Sequence, residues 1–77
     1  MLRTLVKAGI VTAQDRDYPV CYFELRTDRG MRRYSAEIEV AATDRIILDD
    51  DSLQELELTA RRVFPAIVDS RKLAGVD

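Results

Sequence analysis

The residues from Ser52 to Ala74, SLQELELTARRVFPAIVDSRKLA, constrain this chain more than any other stretch, because they read as one amphipathic helix preceded almost entirely by strand-like sequence. Leu53, Leu56, Ala60, Val63, Phe64 and Ile67 recur three and four positions apart, which places them on a single buried face. Asp49, Asp50 and Asp51 lead into Ser52, with Glu55 three residues further on. This is the S-x-x-E capping box, in which the serine oxygen accepts from the backbone near Glu55 and the glutamate reaches back. Arg71 and Lys72 suit the negative end of the helix, and Gly75 is a natural residue just past it. Pro65 interrupts the pattern, since it lacks an N–H and crowds the carbonyl of Arg61. The spacing favours a helix kinked near Phe64, and the competing arrangement is a break between Arg61 and Phe64.

A single closing helix leaves the other residues to form a sheet. Leu2 to Val11 is rich in branched residues, with Leu2, Thr4, Val6, Ala8 and Ile10 on one side and Arg3, Leu5, Lys7, Gly9 and Val11 on the other. A polar loop is expected from Ala13 to Tyr18, after which Pro19 opens a second strand. Cys21, Phe23 and Leu25 alternate there with Val20, Tyr22, Glu24 and Arg26. Residues 31–42 alternate most cleanly, with Tyr34, Ala36, Ile38, Val40 and Ala42 against Arg33, Ser35, Glu37, Glu39 and Ala41. A turn at 43–45 and a short fourth strand at 46–48 complete the sheet. The expected fold is therefore α+β, a three- or four-stranded antiparallel meander in residues 1–48, packed on one face by the helix at 52–74. A two-residue loop (Arg29-Gly30) or a four-residue loop (Asp28 to Met31) sets Leu25 opposite Tyr34, Phe23 opposite Ala36 and Cys21 opposite Ile38. A three-residue loop would set Leu25 opposite Arg33, so apolar matching favours the first register. On that register the helix covers Phe23, Leu25, Tyr34, Ile38 and Val40.

Seventy-seven residues make one domain with a modest core. The net charge is −2, and residues 1–48 carry eight Lys and Arg against seven acids, so no strongly basic region marks a nucleic-acid binder. The chain has no histidine and one cysteine, Cys21, which removes disulfides and Cys/His zinc sites within the chain. A single thiol without a secretory segment fits a cytoplasmic protein, and Arg3 and Lys7 exclude a membrane span at the start. Asp49-Asp50-Asp51 lacks the spaced acids and glycine of a calcium loop and reads as a helix start. Cys21 has no basic partner and reads as a small inward-facing residue. No catalytic, metal or cofactor residue is evident.

Two functions from different classes follow. Leu5, Val11, Val20 and Tyr22 lie on the face that the helix leaves bare, which points to an interaction module: a homodimer or a subunit of a larger assembly, its partner a second copy or an unlike protein. Arg29, Arg32 and Arg33 at the hairpin tip point to the alternative, a nucleic-acid-binding or regulatory domain.

Overall fold

The computed structural model describes the backbone of residues 2–75 and the side chains of residues 2–71. Strands β1 (Leu2–Ala13), β2 (Arg16–Arg26), β3 (Arg32–Ala41) and β4 (Asp44–Asp50) precede helix α1 (Leu53–Gly75). The strands form one sheet in the order β1-β2-β3-β4, every neighbouring pair antiparallel. This is the expected α+β meander closed by a C-terminal helix. The fourth strand is real and longer than residues 46–48. It spans seven residues, because the turn before it takes only Ala42 and Thr43. No helix among the described residues is long and apolar enough to cross a membrane.

Turn chemistry sets the registers. Gln14 and Asp15 both hold positive φ, 53° and 62°, and Ala13 pairs directly with Arg16. A two-residue loop with both residues left-handed is the type I′ geometry, whose twist matches that of its flanking strands. The polar loop expected at 13–18 therefore contracts to two residues, and Pro19 lies inside β2 instead of opening it. Its missing N–H costs little there, because the β2–β3 pairing begins only at Val20.

At the next hairpin the structure takes the register that apolar matching disfavoured. Val20 pairs with Ile38, Tyr22 with Ala36, Phe23 with Ser35 and Leu25 with Arg33. The loop has three residues, Asp28, Arg29 and Gly30. The Gly30 N–H donates to the Thr27 carbonyl at 2.9 Å, and the Thr27 N–H to the Met31 carbonyl at 3.1 Å. Gly30 sits at φ 79°, closing a type I turn with a left-handed residue. A one-residue change of register exchanges the two faces of a strand. Val20 and Tyr22 consequently turn toward α1, while Cys21, Phe23 and Leu25 turn away from it.

The core follows from that exchange. Leu56, Ala60, Phe64 and Val68, four residues apart, are buried against Val11, Ala13, Val20, Tyr22, Ala36, Ile38 and Ile46. Tyr18 meets Phe64 edge-on, with ring centroids 5.1 Å apart. The helix stripe is thus rotated slightly from the expected one, leaving Val63 and Ile67 half-buried at its margin. Helix α1 runs unbroken through Pro65, so the two-helix arrangement is excluded. It also continues through Gly75, expected just past its end, while the Lys72 side chain lies outside the described residues.

At the helix start the Glu55 N–H donates to Ser52 Oγ at 3.3 Å, and the Leu56 N–H to the Ser52 carbonyl at 2.9 Å. The reciprocal half of the expected capping box is replaced. The Ser52 N–H donates to Asp50 Oδ1 at 3.2 Å, and Glu55 is not its acceptor.

Two stability predictions follow from these contacts. Ser52→Ala lowers stability by about 1 kcal/mol through the lost cap, read as a shift in the chemical-denaturation midpoint. Phe64→Ala costs about 3–5 kcal/mol, and Phe23→Ala less than half as much, since only the first ring is fully enclosed. Equal losses from the two phenylalanine variants would place Phe23 in the core and overturn the register described.

Candidate interaction surface

The residues proposed from sequence as one surface are divided between the two faces of the sheet. Val11, Val20 and Tyr22 are buried beneath α1, and Leu5 alone of the four faces away from it. Leu5 and Val11 share odd parity, yet they face opposite ways because β1 carries a bulge. Leu5 pairs with Phe23 and Lys7 with Tyr22, so Val6 is one extra residue. Beyond the bulge it is Ala8, Ile10 and Thr12 that point to the open face.

That face is assembled from two different halves. Leu5, Ala8 and Ile10 of β1 lie beside Pro19, Cys21, Phe23 and Leu25 of β2, forming an apolar band along one side of the sheet. Leu5 is 55% exposed and Ile10 65%, whereas Cys21, Phe23 and Leu25 are half-buried. The second half, on β3 and β4, is mostly ionic, with Ile47 as an exposed apolar residue among the charges. Glu37 pairs with Arg3 from across the sheet and with Arg45 at 3.5 Å. The Arg3 guanidinium lies 3.7 Å from the centroid of the Phe23 ring, a cation–π contact that shields one end of the band. Cys21, expected to face inward, belongs to this open face and pairs across the strands with Ala8 and Glu37.

The hairpin arginines do not act as one group. Arg33 is tied to Asp51 and lies 3.7 Å from Asp49, which neutralises it. Arg29 and Arg32 are exposed near the tip. The three consecutive acids serve different partners, Asp49 and Asp51 facing Arg33 and Asp50 the Ser52 amide. Among the described residues no group of three or more Cys, Asp or Glu side chains is placed to hold a metal ion.

A groove of about 350 Å³ separates the β1 edge from α1 on the helix side. Gly9, Ile10, Val11 and Val20 line its apolar part, and Lys7, Tyr22, Glu57 and Arg61 its polar part. Lys7 pairs with Glu57 across it. Burial pushes the Tyr22 phenol above its ordinary value of 10.0, the Glu57 carboxylate adds to the rise, and Lys7 and Arg61 oppose it. Sequence reading missed this cluster because it joins residues fifty positions apart. The only signal was the pair Glu57 and Arg61, one helical turn from each other. No family model matches the chain, and neither does any curated protein or solved structure.

The raised phenol fixes a direction for the pH dependence. Below pH 10 the Tyr22 proton is held in both folded and unfolded chains, and its contribution to stability is complete. Above it the unfolded chain releases the proton first, so stability falls as pH rises through the folded value. Spectrophotometric titration is expected to show the Tyr22 phenol ionising above its ordinary value. Glu57→Gln should move that ionisation downward and Tyr22→Phe should abolish it. A Tyr22→Phe variant that loses no late-ionising phenol would contradict the placement of Tyr22.

Proposed function

We propose that this protein is a small interaction module, with no catalytic role, that associates with a second copy of itself. The observation that supports the reading is the apolar band of Leu5, Ala8, Ile10, Phe23 and Leu25 on the sheet face away from α1. Antiparallel sheets tolerate one wet face when that face is polar. Here half of it is not, and contiguous exposed apolar side chains on a small domain favour association. The hairpin arginines lend less support to nucleic-acid binding, because Arg33 is already paired with acids and the chain is net negative. Sedimentation of the wild-type chain across micromolar concentrations is the test. The expected result is a mass rising toward twice that of the chain, and a mass constant at one chain would overturn the reading.

A further inference from the structure

The two edges of the sheet are defended very differently. β4 reads DRIILDD, with Asp44, Arg45, Asp49 and Asp50 charged. Charged side chains on an edge deter pairing with another strand. β1 continues after Lys7 as Ala8-Gly9-Ile10-Val11-Thr12-Ala13, six residues without a charge. In a two-residue hairpin the residues flanking the loop exchange both backbone hydrogen bonds. Ala13, Val11, Gly9 and Lys7 therefore turn their N–H and C=O groups toward β2, and Ala8, Ile10 and Thr12 turn theirs outward. Helix α1 packs over the face of β1 that carries Lys7, Val11 and Ala13, so the outward N–H and C=O groups lie at the side of the sheet and not beneath the helix.

We infer that residues 7–13 of β1 pair antiparallel with the same residues of a second copy, about a two-fold axis at Ile10, joining two four-stranded sheets into one. This rests on the self-association reading and names the strand that carries it. The register follows from geometry. Opposed residues of an antiparallel pair share a face, so the numbers of paired residues must sum to an even value. The usable edge is bounded by the bulge at Val6 on one side and the turn after Ala13 on the other. A sum of 20 pairs all of residues 7–13, whereas sums of 18 or 22 pair only 7–11 or 9–13.

At a sum of 20, Ile10 meets the partner's Ile10, Ala8 the partner's Thr12, and Gly9 the partner's Val11. Lys7 meets the partner's Ala13, so no like charges are opposed. Gly9, which has only a Val20 methyl within 4 Å of the place of a Cβ, leaves room beside the opposed valine. Residues 7–13 are thus complementary to themselves over their whole length, which is why a second copy fits better than an unrelated strand.

Cross-linking decides the matter. Outward-bonded residues at such an axis lie about 5.5 Å apart at Cα, within the reach of a disulfide. In a Cys21→Ser background, Ile10→Cys should oxidise almost wholly to a covalent dimer. Ile47→Cys, 63% exposed on the opposite edge strand, should remain monomeric on denaturing gels. Ile10→Lys, at an exposed position that leaves the core intact, should weaken dimerisation at least tenfold with an unchanged circular dichroism spectrum. A wild type that dimerises by sedimentation while Ile10→Cys fails to cross-link and Ile10→Lys dimerises normally would overturn the β1 edge but leave self-association standing. A wild type monomeric at every concentration would overturn both.

Discussion

The three-residue loop closed by Gly30 sets β2 against β3, and what α1 can bury depends on that register. Tyr34, Ala36, Ile38 and Val40 form the apolar side of β3 under any pairing, so the question left to the loop is which half of β2 joins them. With Gly30 in the left-handed region, Val20 falls beside Ile38 and Tyr22 beside Ala36. The small Ala36 gives the Tyr22 ring space, and its hydroxyl reaches the groove where Lys7, Glu57 and Arg61 gather. Tyrosine suits such a place, because it has a broad apolar body and a polar end. Phe23 has no polar end and lies on the other side, where the Arg3 guanidinium covers part of its ring.

The bulge at Val6 is the second decision. It gives β1 two halves whose odd and even residues exchange faces, sending Leu5 outward while Val11 goes into the core. Without it, Lys7 would join Leu5 on the apolar side of the open face. With it, the cation moves to the helix side to meet Glu57, and the open face keeps an uninterrupted band from Leu5 to Ile10. The ion pairs around that band are all at least partly exposed, and such pairs contribute little to stability. Their effect is to divide the face into an apolar side next to β1 and a side next to β4 where charges surround a single exposed Ile47. The self-association proposed here places the contact on the first.

Much of the architecture could be read from the residues alone. The element order, the antiparallel meander, the closing helix and the serine cap all rest on local patterns: period-two alternation, a stripe every three or four residues, and a capping side chain beside a hydrophobic run. Each is a property of neighbours in the chain, so it survives without knowledge of the rest. The inward side of β3 was equally plain, because its outward positions carry Arg33, Glu37 and Glu39.

The faces of β1 and β2 were decided only by the tertiary structure. Both sides of β2 are apolar, so alternation cannot choose between Val20 with Tyr22 and Cys21 with Phe23. The choice belongs to the φ of Gly30, which matches a three-residue loop, and to the one available helix, which covers one face only. In β1 a single inserted residue reverses parity midway, and no periodicity count marks where. Local pattern was enough for a meander of three or four strands closed by an amphipathic helix, and the fold supplied the full fourth strand and the unbroken passage through Pro65. The folded chain decided which apolar residues the helix hides and which it leaves outside, because a strand's two faces differ only by register, and register is a relation between segments.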